Sequence, residues 1–140
     1  MEVRIKKIHP QARLPQYSHA GDAGLDLYSV VDETIAPGER KAIPTGIKMA
    51  IPPWYVGLIW DKSGLSLEGI HRLAGVVDAG YRGEVKVVLV NLGSQEFRIA
   101  VGMKIAQMLI QPVETVKIVE TSELDPTSRG EGGFGSTGRF

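Results

Sequence analysis

The 140-residue chain has no cysteine, no excess of charge, no long apolar run and no long amphipathic stretch. Without cysteine there can be neither a disulfide framework nor a thiolate metal site, and His9, His19 and His71 lack metal-ligand spacing. Sixteen basic and sixteen acidic residues cancel. No global field therefore recruits nucleic acid or an anionic membrane, and any phosphate must be bound locally. No segment approaches the ~18 apolar residues of a membrane span, and no signal-like apolar run opens the chain. These absences predict a soluble, cytoplasmic protein with neither nucleic acid nor membrane as partner.

What is present reads as strands. The length fits one domain with a modest core. Val3, Ile5 and Ile8 mark an opening strand, ended by Pro10 and Pro15. Short β-like runs then alternate with Pro/Gly punctuation: Glu33 to Ile35, the turn Ala36-Pro37-Gly38-Glu39, Arg40 to Ile43, and Ile47, Met49 and Ile51 at period two. Tyr55 to Trp60 follows, with Val56, Leu58 and Trp60 on one face and Tyr55, Gly57 and Ile59 on the other. Glu84 to Val90, Phe97 to Ile99, the run around Ile105 to Val113, and Val116 to Val119 complete the set. Strands at this spacing predict an all-β sandwich or barrel. The only helix is a short one starting at Ser63, whose hydroxyl is expected to cap free amides.

Four places carry chemistry. In AGDAGLDLYS, Asp26 points between Leu25 and Leu27. In DKSGL, the cation Lys62 and the hydroxyl of Ser63 stand beside free helical amides, a local anion site. In GVVDAGYRGEV, Asp78-Ala79-Gly80 is turn chemistry, predicted to reverse the chain into a hairpin that presents a carboxylate and the Tyr81 phenol. Gln107 lies inside an apolar strand, where an amide needs either a backbone partner or a ligand. Finally, RGEGGFGSTGRF is too rich in glycine to pack and is expected to be mobile until ordered. Arg129 can reach phosphate and Phe134 can cover a planar ring.

These stretches, in this order, resemble the five signatures of the trimeric dUTP pyrophosphatases (dUTPases). The first is matched by the run ending Asp26-Leu27, the second by Lys62-Ser63-Gly64-Leu65, and the third by GVVDAGYRGEVKVVLVN. Gly102-Met103-Lys104-Ile105-Ala106-Gln107 resembles the fourth and RGEGGFGSTG the fifth. The chain departs from the family at Lys62, usually arginine, at Asp61, often proline, and at Met103-Lys104, usually Asp-Arg. Lysine at 62 keeps the charge but not the bidentate fork.

The resemblance implies a single-domain β-clip or jelly-roll-like barrel over residues 1–120 and a mobile arm over residues 121–140. It further implies a homotrimer with active sites at subunit interfaces, each covered by an arm. The implied reaction is hydrolysis of dUTP to dUMP and pyrophosphate, limiting uracil in DNA and supplying dUMP for dTMP synthesis. Asp78 would activate the water, with Gln107 and Arg129 as catalytic partners and Mg²⁺ held by Asp26 through water. Substrate contacts would come from Lys62, Ser63, Gly64, Gly75, Val76, Val77, Asp78, Tyr81, Lys86, Gln107, Arg129, Phe134, Gly135 and Ser136. A dCTP deaminase of the same superfamily and a non-catalytic nucleotide-sensing trimer are the alternatives.

Overall fold

The structure is a computed structural model that describes residues 1–140. In chain order its elements are β1 (Arg4–Lys7), β2 (Leu25–Tyr28), β3 (Glu33–Ile35), β4 (Arg40–Pro44), β5 (Ile47–Ala50), β6 (Tyr55–Trp60), α1 (Ser63–Leu67), β7 (Ile70–Leu73), β8 (Val76–Asp78), β9 (Lys86–Asn91), β10 (Phe97–Ile99) and β11 (Lys104–Pro112). Every strand pairing is antiparallel. The sheets run β2-β11-β6-β8, β4-β9-β7, β1-β5 and β10-β3, which is the all-β body with one short helix that the strand spacing predicts. That helix is the only one, and no helix is long and apolar enough to cross a membrane.

The period-two runs bury the residues they should. Ile47, Met49 and Ile51 are each less than 5% exposed, and Val85, Val87 and Leu89 are 1% exposed. In the turn Ala36–Glu39, Gly38 takes φ of 77° and the Glu39 N–H returns to the Ala36 carbonyl. This is the arrangement that proline followed by glycine specifies. One contiguous core joins these side chains with Leu27, Ile35, Ile43, Ile59, Ile105 and Met108.

Four expectations are corrected. The chain reverses after Asp78, where the Tyr81 N–H donates to the Asp78 carbonyl, but β8 and β9 do not form a hairpin. β8 lies against β6 at one edge of its sheet, while β9 lies between β4 and β7 in another. Burial explains the split: β9 carries Val87, Leu89 and Asn91 into the core and suits a central place, whereas β8 buries only Val77 and suits an edge.

Val116 to Val119 is no strand. Its side chains are exposed, and the last bond to the body is the Val113 N–H to the Trp54 carbonyl at 2.8 Å. β-branched residues form a ladder only with a partner strand, and this chain offers none there. Ser63 opens α1, but the cap position is Lys62 and no side chain caps the helix. β7 was not expected, because only Ile70 in it is fully buried and its place is set by pairing with β9.

Candidate active site

Strand register builds the floor of the largest cleft. On β11, Gln107 lies directly opposite Asp26 of β2 and, on its other side, opposite Trp60 of β6. Cross-strand neighbours share a face, so these three side chains form one row. A bulge between Lys104 and Ala106 inserts one extra residue against β2. It shifts the alternation, so Lys104, three positions before Gln107, reaches the same side. The resulting cleft, about 660 Å³, is also lined by Ser18, His19, Asp22, Gly24, Asp61 and Lys62.

Charge is concentrated in this cleft. Asp26 is 2% exposed, and its Oδ1 accepts from Lys62 Nζ at 2.6 Å. Its Oδ2 accepts from Ser18 Oγ and Lys104 Nζ, each at 2.7 Å. Burial opposes ionisation of Asp26, but the hydrogen bonds from Lys104, Lys62 and Ser18 outweigh it and lower the carboxyl from 3.8 to about 2. The bond to Asp26 raises Lys104 above its ordinary value. Lys62 and Lys104 flank the Asp26 carboxylate, and Asp22 and Asp61 add two further carboxylates to the lining, so the two ammonium groups are local anion contacts and not a net positive field. Beside them Gln107 Nε2 donates to the Asp61 carbonyl at 2.8 Å. A Cβ at Gly24 would overlap the Gln107 amide, which would then have to move.

A second concavity of about 240 Å³ is lined by Ile59, Ala74, Gly75, Val76, Val77, Asp78, Tyr81, Glu84, Val85 and Lys86. It shares no lining residue with the cleft. Gly75 has φ of 122°, and Ala74 before it is left-handed at 60°. Asp78 is exposed, and its carboxylate takes no hydrogen bond from the chain, instead of bonding its own turn as the Asp-x-Gly pattern predicts. Tyr81 donates its hydroxyl to the Glu84 carbonyl at 3.0 Å. Gly83 leaves room for the Tyr81 ring, which a Cβ at 83 would strike.

Asp78 lies opposite Val56, four residues along β6 from Trp60. At a rise of ~3.3 Å per residue, that is roughly 13 Å along the sheet from the row of Asp26 and Gln107.

The structure thus brings together Asp26, Lys62 and Gln107, with Ser63 and Gly64 following Lys62 at the start of α1, and separately groups Gly75 to Asp78 with Tyr81 and Lys86. Arg129, Phe134, Gly135 and Ser136 join neither group. From residue 114 onward all hydrogen bonds stay within the terminal segment, among them Arg129 Nε to the Gly132 carbonyl at 2.8 Å. Ser18 and Asp61 line the cleft, and Lys104 and His71 bond to its residues Asp26 and Asp61, but none of the four is among the expected site residues. Lys104 could have been found, since it stands in the fourth signature, while Ser18 lies in a stretch with no periodicity to place it.

The family model for dUTPase matches residues 10–138, and the chain belongs to the dUTPase family. The Clostridium kluyveri deoxyuridine 5'-triphosphate nucleotidohydrolase is 55% identical over 99% of both chains. A mutant dUTPase of Staphylococcus bacteriophage 80alpha, solved with dUpNHpp, superposes with a TM-score of 0.93 at 28% identity over 99% of both chains. A mutant dUTPase from phage phi11 of S. aureus has a TM-score of 0.83 at 25% identity, covering 88% of this chain and 98% of that one. That structure describes coordination of a structural Mg(II) ion in the phage protein.

Proposed function

We propose that this chain hydrolyses dUTP to dUMP and pyrophosphate in the cytoplasm, at sites shared between the subunits of a homotrimer. The observation that carries the reading is the unbonded Asp78 carboxylate, set beside the backbone groups of Gly75 to Val77 in a chain of this family. Asp78 orients a water molecule and takes its proton as the water oxygen bonds to the α-phosphorus. The bond from the α-phosphorus to the bridging oxygen breaks, and pyrophosphate leaves.

Because charge collects on the leaving group, electrostatic stabilisation dominates. Lys62, Ser63, Gly64, Gln107 and Ser136 contact phosphate oxygens, and Arg129 brings a further cation. Backbone groups of Gly75, Val76 and Val77 read the uracil edge, with Lys86 near it. Tyr81, fixed through its bond to Glu84, packs on the deoxyribose and leaves no room for a 2′-hydroxyl. Phe134 and Gly135, in the arm over residues 121–140, close over the base.

The residues present are compatible with Mg²⁺ bound mainly by the triphosphate. No cluster of three carboxylates or histidines offers a protein cage. Asp26 has three of its roughly four acceptor positions filled, which leaves one for a metal-bound water. Mg²⁺ bound there would neutralise phosphate charge.

Sharing between subunits is supported by the separation of Asp78 from Gln107 along β6 and by an arm with no hydrogen bond to its own body. Closed symmetry makes each chain give and receive the same elements. Incubation with dUTP and dCTP tests the activity: pyrophosphate from dUTP is expected, and ammonia from dCTP, or binding without turnover, would replace this reading. Sharing is tested by refolding Asp78→Asn chains with chains lacking Arg129 to Phe140. About a quarter of randomly assembled sites should then be complete, and mixed trimers no more active than either parent would place both elements within one subunit.

A further inference from the structure

Two residues, Asp61 and Lys62, link the end of β6 to α1, and both line the cleft. Lys62 is anchored by Asp26. Asp61 is anchored in the opposite direction, toward a different sheet. Its Oδ1 accepts the Arg72 N–H at 2.7 Å and its Oδ2 lies 2.6 Å from His71 Nδ1. Both partners belong to β7, which pairs only with β9 and has no ladder with β6.

The backbone N–H of Asp61 makes no backbone hydrogen bond, so the carboxylate is what fixes this residue. Its carbonyl then receives Gln107 Nε2 at 2.8 Å, and the missing side chain of Gly24 leaves the space that the other end of the same amide occupies. Arg72 adds to the tie, with its guanidinium 4.7 Å from the Trp60 ring centroid and Nη1 donating to the Ala74 carbonyl at 2.9 Å.

We infer that Asp61, tied to β7 by His71 and the Arg72 amide, is a positioning residue that aims the Gln107 amide and sets the approach of Lys62 to phosphate. This rests on the proposed dUTP hydrolysis for its kinetic consequence, but not for the phosphate contact itself. Asp61 touches no phosphate; it acts through Gln107 and Lys62. A linker of two residues has no slack, so release of the Asp61 carboxylate moves the Gln107 acceptor and the origin of Lys62 together. A misplacement on the scale of an ångström is costly when the reaction depends on alignment. The effect on folding is small by comparison, because the His71 side chain is 45% exposed and pairs of that exposure contribute little to stability.

The test uses Asp61→Ala, Asp61→Asn and His71→Ala in the full-length protein. It reads kcat and KM for dUTP, the affinity for inorganic pyrophosphate by calorimetry, and the melting temperature. In Asp61→Ala, kcat should fall about tenfold with KM changed less than threefold, and pyrophosphate should bind about fivefold more weakly. Asp61→Asn, which keeps an acceptor for the Arg72 N–H, should recover most of both, and His71→Ala should fall between.

Should Asp61→Ala fail to fold, His71→Ala carries the test alone. Kinetics and pyrophosphate affinity within twofold of the parent overturn the inference. So does a loss that tracks the melting temperature and is not restored by asparagine, since that marks a structural role only. If the parent protein does not turn over dUTP while pyrophosphate affinity still depends on Asp61, the proposed function falls and the positioning role stands.

Discussion

In the cleft, Asp26 meets Lys62, Lys104 and Ser18 within 2.7 Å, whereas in the pocket from Gly75 to Lys86 the shortest ion pair is Lys86 with Glu84 at 3.9 Å. One concavity is organised by charge and the other by backbone conformation, although both draw on β6. Under the proposed function, the contrast matches what each would recognise. Phosphate is anionic, and long cationic side chains can follow it once a buried carboxylate fixes their bases. A uracil edge is a rigid set of donors and acceptors, which a backbone held by β8 and two left-handed residues can match more closely than a mobile side chain. Substitutions in the cleft should therefore act through charge, and those around the pocket through geometry or proton transfer.

The largest expected effect would sharpen this contrast at its reactive end. Asp78→Asn preserves shape and removes the proposed base, so turnover should drop at least ~10² while nucleotide affinity stays within about tenfold. Steady-state kinetics alongside calorimetry decide it, and near-normal turnover would remove Asp78 from the mechanism.

Next comes Lys62. Lys62→Ala should cost about 1 to 3 kcal/mol of transition-state stabilisation in kcat/KM, while Lys62→Arg retains or raises activity. An unchanged alanine variant would mean that the cleft does not depend on this charge.

Third, Asp26 makes the cleft sensitive to acid. Its carboxyl is lower in the folded chain, about 2 against 3.8, so its contribution is complete above ~4 and is lost as pH falls through 2. That difference corresponds to about 2 kcal/mol. Urea midpoints for the parent and Asp26→Asn should therefore converge between pH 5 and 2, and parallel curves would refute the linkage.

The smallest effect belongs to the pocket. Ala74 sits at φ of 60°, a region that costs a residue with a Cβ roughly 1 kcal/mol, so Ala74→Gly should be stabilising or neutral despite its added chain entropy. A clear fall in melting temperature would show that the Ala74 side chain contributes packing that the backbone account omits.

Much of this was legible because strands declare themselves by alternation. Ile47, Met49 and Ile51, or Val56, Leu58 and Trp60 opposite Gly57 and Ile59, could be assigned to faces from sequence alone, and Asp26, Lys62 and Gln107 were identified as candidate residues. What could not be read was pairing. Nothing local says that β8 joins β6 rather than β9, because that choice follows from the two-sided burial of β9. For the same reason the tie from Asp61 to His71 and Arg72 was invisible: it needs β7, and Ile70-His71-Arg72-Leu73 has no alternation to announce it. The exposed run Val116 to Val119 shows the opposite failure, strand-forming residues without a strand to join.

The terminal segment's lack of bonds to the body also has a consequence for handling the protein. Beyond β11 the chain carries Lys117, Arg129 and Arg139, all exposed, on a backbone that a protease can unfold at little cost. Brief trypsin treatment should clip at these points before it touches the barrel, leaving a product that still melts cooperatively and passes as intact by circular dichroism. A preparation can thus lose its arm during storage without losing its fold, and only an intact-mass measurement would reveal it.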